Sequence, residues 1–479
     1  MQEEKEDVKE QKKIEKEEKN KEQARKISIY EGSGYSFMDG FGLRYITPFA
    51  VAIGATNFII GLLSSVPGLI GSFVQLFSLK QLGKTSRRKI VFISVLLQAL
   101  MWLPMIGIGL AYFIYGISPF SASVSLLLTY SIFVIVGSVS GPAWSSWMRD
   151  IIPKEAGDYF GKRSVIIGFL AMLAMMIAGF ILDYFTNAGK IVVGFSILFS
   201  VAFLGRIVSA LLFLKQYEPE YKEDKTMYFS FVDFVKKMMF NNYGRFVFFV
   251  SLMGFATAIG SPFFAVYMLK DLGFENTYTY YTYVAMASVI SSLATTRPWG
   301  RFIDKYGNIV VLKITAFGIA ILPFLWIVSY FVYSAFGFSQ IHVMSFLLVS
   351  ELFSGIVWAG FGLSSGVFVY QAVTKQRLPL CATYHGIVAS ILGFLGAMIG
   401  GYLAGSNLFG AYALFFVFGL SGILRLISAF LIKTEIKETR ETSKIDFDKA
   451  KRILERINPK HFVSFVIKRI GFNGNASGE

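Results

Sequence analysis

The chain is 479 residues long, 54% apolar and only 16% charged, with a mean hydropathy of +0.56. A globular protein carries about 25% charged residues, so a soluble chain of this size could not clothe its surface. The formal charge of +15 does not point to nucleic acid, because the basic residues sit in short stretches between apolar runs.

The first 30 residues hold nine basic and nine acidic side chains. Such a stretch buries nothing, so residues 1–33 are expected to form a cytoplasmic tail, disordered or a single helix. Crossing the ~30 Å hydrocarbon layer takes about 20 apolar residues. Twelve stretches meet this, near 34–54, 57–79, 89–113, 122–148, 164–185, 191–215, 246–269, 278–300, 309–333, 341–371, 382–405 and 409–432. The even-numbered connections, with the span ends beside them, carry 21 Lys and Arg, and the odd-numbered ones only Lys190 and Lys270. That split puts both termini in the cytoplasm.

The longest connection, 216–245, separates an N-terminal six-helix bundle (34–215) from a C-terminal one (246–432). Within it Phe229, Val232, Val235 and Met239 keep helical spacing, as an amphipathic helix in the membrane interface would. The basic tail 433–479 shows a similar pattern. The halves repeat. Arg206-Ile-Val-Ser209-Ala210 matches Arg425-Leu-Ile-Ser428-Ala429 at an offset of 219 residues, and Pro104 matches Pro323 at the same offset. The fold expected is an all-α polytopic membrane protein, twelve transmembrane helices in two pseudo-symmetric six-helix bundles, of the kind used by secondary transporters.

Few ionisable residues lie inside the spans, where each is costly unless paired or hydrated. Arg44 and Glu351 both fall near mid-depth. Asp39, five residues before Arg44, is expected on another face and could partner Arg206. Arg206 and Arg425 read as structural intramembrane charges whose long stems reach the interface. Asp183 lies at an outer edge, where it would meet water. Ser261, Tyr267, Ser354 and Trp358 are further polar candidates. The single Cys381 and three distant histidines offer no metal site. No nucleophile–base pair suggests an enzyme, and no phosphate-binding loop suggests ATP.

The eighth connection reads Gly300-Arg301-Phe-Ile-Asp304-Lys-Tyr-Gly307-Asn308, and the second keeps Gly83, Arg87 and Arg88 with Lys80 at the acidic position. This pattern, with Gly141-Pro-Ala-Trp144-Ser-Ser-Trp147 leading into Tyr159-Phe-Gly161, resembles the major facilitator superfamily and its uncharacterised prokaryotic members. The resemblance implies a cytoplasmic gate in which a glycine lets helix ends approach while Asp304 bridges helix termini with Arg301 or Lys305. It also implies a central cavity lined by the first, fourth, seventh and tenth spans, where Arg44 and Glu351 could face each other. Arg44 would hold an anionic group; Glu351 would take a cation or a coupling proton. The expected function is secondary active transport of a small solute by alternating access, with protons as the coupling ion to test. The setting is the plasma membrane, and the protein a monomer without cofactor, metal or nucleic acid. A receptor or scaffold that retains the fold without transporting is the alternative.

Overall fold

The computed structural model describes residues 2–81, 84–152, 156–220, 229–274, 277–334, 339–374, 377–406 and 408–439. The chain opens with α1 (Gln2–Phe41), so the charged segment takes the helical form of the two expected. Its alternating charges support it through pairs one turn apart, Lys21–Glu17 at 2.9 Å and Lys26–Glu22 at 3.0 Å. After a 3₁₀ turn at Leu43–Tyr45 the first span finishes as α2 (Ile46–Ala52). The N-terminal half continues with α3 (Asn57–Gln81), α4 (Arg87–Leu100), α5 (Trp102–Phe113), α6 (Pro119–Ile151), α7 (Ala156–Asn187) and α8 (Ile191–Lys215). Here α4 and α5 together make one span.

A short helix, α9 (Phe231–Lys237), leads into α10 (Asn242–Val266), which ends in a π turn at Tyr267–Asp271. Next come α11 (Tyr278–Tyr306), α12 (Asn308–Ser334), α13 (Gln340–Ala372), α14 (Leu378–Gly405) and α15 (Ala413–Glu435). Among the described residues, ten helices are long and apolar enough to cross a membrane. Two further spans pack among them. The first is interrupted by its break, and α11 is diluted by Ser288, Ser291, Ser292, Thr295 and Thr296. All twelve spans fall into two six-helix bundles.

The main packings of one half have twins in the other. Helix α1 lies on α8 and α7 as α10 lies on α15 and α14, and α4 on α6 and α8 as α12 on α13 and α15. The seams between halves pair likewise, α3 against α14 and α7 against α11. Side-chain contacts follow the same symmetry. Arg206 Nε donates to Gln98 Oε1 at 2.8 Å, and Arg425 Nη1 donates to the Ile319 carbonyl at 3.2 Å, 221 residues beyond Gln98.

The hydrogen bonds joining the halves cluster at the end away from the basic connections. Asn57 Nδ2 donates to the Ala404 carbonyl at 2.8 Å on one seam. On the other, the Thr279 amide donates to Asp183 at 3.0 Å. Asp183, expected to meet water, instead faces the start of α11.

Helix α9 covers Val232 and Val235 of the stretch expected to be an amphipathic helix, while Phe229 precedes it and Met239 lies in the 3₁₀ turn that follows. Ser230 caps it, accepting from the Asp233 amide at 3.0 Å and donating to the Asp233 carboxylate at 2.6 Å, which holds that carboxyl below its usual range. Phe234 is buried against Tyr243 and Tyr384, while Val232, Val235 and Met239 are exposed. The helix expected in the basic tail lies outside the described residues, apart from positions up to 439.

Candidate functional site

The first cluster arises from a helix break. Pro48 has no N–H to pair with the carbonyl four residues earlier, and its ring would clash with that carbonyl. The residue four earlier is Arg44. Helix α1 stops at Phe41, and the freed Arg44 carbonyl accepts from Tyr281 Oη of the other half at 3.0 Å. On an unbroken helix positions 39 and 44 would point about 140° apart. Across the break they meet instead: Arg44 Nε and Nη2 each lie 3.3 Å from Asp39 Oδ2. This corrects the expectation of different faces and of an Asp39–Arg206 pair. The pair is loose and wet, with the Arg44 side chain 48% exposed. Tyr35 and Tyr130 stand close to Asp39.

Arg206 lies near a different carboxylate. Glu31 is 3% exposed, bound to Arg163 at 2.7 Å and to the Ser209 hydroxyl at 3.3 Å, and Arg206 faces it from the second side. The Arg206 guanidinium lies over the Tyr35 ring at 5.3 Å, and that of Arg163 over Trp144 at 5.1 Å. Sequence reasoning missed Glu31 because it falls in the stretch assigned to the tail. The signal was present: Glu31, Tyr35 and Asp39 are spaced by four, one face of one helix. Neither Arg206 nor Arg425 reaches the interface; both are buried and hold polar groups within the bundle.

The second cluster surrounds Glu351. This carboxylate is half-buried on α13, beside the Ser288 hydroxyl of α11, Ser354 of its own helix and the Trp326 indole of α12, with Arg425 of α15 as its neighbouring cation. Arg425 itself donates to the carbonyls of Ile319 at 3.2 Å and Thr257 at 3.4 Å, and its buried Nε has no partner among the described residues. Arg44 and Glu351 thus belong to separate clusters, one in each half. Of the remaining candidates, Ser354 adjoins Glu351, Ser261 is exposed and Trp358 is half-buried edge-on to Phe361. Tyr267 is fully buried among Trp326, Phe415 and Phe418, as a core residue would be.

The loop-motif residues divide. Arg87 is 1% exposed and ties three segments together: its Nη1 lies 2.5 Å from Asp150, its Nη2 donates to the Pro219 carbonyl at 2.8 Å, and its amide donates to Glu218 at 2.7 Å. In the second half Asn308 Nδ2 donates to Gln371 at 2.8 Å and to Glu438 at 3.2 Å, while Glu438 accepts from the Ile309 amide at 3.0 Å. Arg87, Asp150 and Glu218 correspond to Asn308, Gln371 and Glu438 at offsets of 220 or 221 residues. The same clamp is therefore ionic in one half and carries a single acid in the other. Arg88, Arg301 and Asp304 are exposed, and Gly83 lies outside the described residues. A Cβ at Gly300 would meet only Leu363, at 3.8 Å, so no close helix approach requires that glycine. Gly307 is required by its backbone, with φ of 92° where α11 ends. Among the described residues, no group of three or more His, Cys, Asp or Glu could hold a metal.

Residues 32–338 match the family model for the Major Facilitator Superfamily. Among solved structures, a mutant of the nucleoside transporter NupG is similar at a TM-score of 0.62 and 15% identity, covering 87% of this chain and 100% of that one. A D-xylose–proton symporter is similar at 0.62 and 15%, covering 88% and 98%. A bacterial homologue of the iron transporter ferroportin, in an inward-facing state, is similar at 0.61 and 11%, covering 86% and 98%. These likenesses concern the fold. No curated protein matches the sequence.

Proposed function

This chain belongs to the Major Facilitator Superfamily and is a multi-pass membrane transporter rather than an enzyme; from that premise we propose that it moves a small solute by alternating access, coupled to protons through Glu351. The basic ends of the helices face the cytoplasm of a plasma membrane in this reading, supported by the 21-to-2 division of basic residues among the connections. The two six-helix bundles, 34–215 and 246–432, rock about a midplane site, and the carrier works as a monomer.

The observation that carries proton coupling is the surroundings of Glu351. A carboxylate committed to a structural ion pair would be clasped by its cation, as Glu31 is by Arg163. Glu351 instead has two hydroxyls around it, which suit both protonation states, and an indole N–H. A hydroxyl can donate to a carboxylate and accept from a carboxylic acid. Arg425 then serves as the neighbouring charge against which loss or gain of the proton is felt.

On the other side of the site, Arg44 takes an anionic group of the solute. Its pairing to one Asp39 oxygen is long, and its exposure leaves donors free to turn toward a ligand. Ligand class is best found by screening sugars, carboxylates, amines and nucleosides for thermal stabilisation of the purified protein, since binding raises stability by mass action. With a ligand in hand, Glu351→Gln should abolish uptake driven by a pH gradient in proteoliposomes while preserving solute exchange at equal pH. Gradient-driven uptake at the wild-type rate in Glu351→Gln rules out Glu351 as the proton carrier.

A further inference from the structure

Among the described residues, the opening turns of α11 carry most of the hydrogen bonds between the N-terminal and C-terminal halves. Asp183, near the end of α7, accepts from the Thr279 amide at 3.0 Å and from the Thr279 hydroxyl. It acts from across the seam as an N-cap would from within its own helix, satisfying an amide that the helix leaves unpaired. One turn deeper, Tyr45 Oη lies 2.8 Å from the Thr282 hydroxyl and donates to the Met175 carbonyl at 2.8 Å. Tyr45 and Thr282 are fully buried, and Gly179 permits the approach, since a Cβ there would lie 2.5 Å from Thr282 Oγ1. Tyr281, between them, donates to the carbonyl that Pro48 leaves free at Arg44.

We propose that these contacts are the latch of the outer gate, with Asp183 and Tyr45 as positioning residues that hold the outer side closed and must let go when the transporter opens outward. The latch rests on the alternating-access reading and adds its coupling to the solute. Residues 43–45 are one 3₁₀ turn, so the side chain offered to the solute (Arg44) and the one that locks α11 (Tyr45) are neighbours on the same short segment. A solute that draws Arg44 from Asp39 turns the segment on which the lock is mounted. Differential contact of this kind, made in one state and absent in the other, is what allows a ligand to shift a conformational equilibrium.

The test needs no knowledge of the solute. With Cys381→Ser as background, Ala285→Cys places a reporter thiol one turn below Tyr281 on α11. Its reaction with a membrane-impermeant maleimide is timed from the outer side and, in inverted vesicles, from the basic side. Asp183→Ala and Tyr45→Phe should each raise the outer-side rate about tenfold, the shift expected from losing a cap-strength contact in one state only. The basic-side rate should fall together with it. Tyr184→Phe, an exposed neighbour, should leave both rates unchanged. A reporter that reacts by side but at rates indifferent to Asp183 and Tyr45 overturns the latch and leaves alternating access standing. A reporter that stays unreactive from both sides in every variant, each confirmed monodisperse, overturns alternating access and the latch with it.

Discussion

Arg206 and Arg425 occupy equivalent places in the two halves, yet their surroundings differ in kind. Around Arg206 the charges are closed off: Glu31 is held by Arg163 and Ser209 and faced by Arg206, whose own Nε is satisfied by Gln98. Around Arg425 the partners are backbone carbonyls, its Nε is unsatisfied among the described residues, and Glu351 stands among hydroxyls. A scaffold duplicated in sequence has thus fixed its charge in one half and left it available in the other. Buried ion pairs with every partner in place hold a structure in one arrangement, whereas partly satisfied ones are poised to change.

The sharpest way to break this contrast is Glu31→Ala. It leaves Arg163 and Arg206 buried beside a missing anion, a loss of about 3–5 kcal/mol. Thermal unfolding in detergent should fall accordingly, and a midpoint equal to wild type would mean the N-terminal cluster is not a fixed brace. A middle-sized effect should separate the clamps. Arg87→Ala removes a buried cation with bonds to Asp150 and Pro219 and should cost about 3 kcal/mol, against about 1 kcal/mol for Asn308→Ala, where a neutral side chain loses one bond to Gln371 and one to a partly exposed carboxylate. Equal losses in the same unfolding assay would show that the charge difference between the clamps is immaterial. The smallest expected change is at the wet pair: Asp39→Asn should alter stability by about 0–1 kcal/mol. A loss as large as that of Glu31→Ala would make Asp39 part of the brace rather than of the solute site.

Much of the architecture was legible from composition. Span number and the repeat all follow from which residues lipid excludes and where Lys and Arg collect, properties of single stretches of chain. What escaped depends on backbone geometry or on partners distant in sequence. Asp39 and Arg44 looked separated because helical spacing was carried straight through Pro48, whose missing N–H breaks the ladder at Arg44 itself. Glu31 was set aside with the tail because its neighbours are charged, although its four-residue spacing to Tyr35 and Asp39 marks a continuous face. Asp183 reads as water-facing because it lies at the outer edge of its span; its partner, Thr279, is 96 residues away. Asn308 is the neutral counterpart of Arg87, which only the paired geometry reveals.

The availability of Glu351 is the claim on which the transport reading turns, and infrared difference spectroscopy of the protein in liposomes tests it without any solute. Stepping from alkaline to acid buffer should produce a protonated carboxyl band that disappears in Glu351→Gln and persists in Glu31→Gln. A band that survives Glu351→Gln and vanishes in Glu31→Gln would put the exchangeable proton in the half described here as fixed, and would contradict the account.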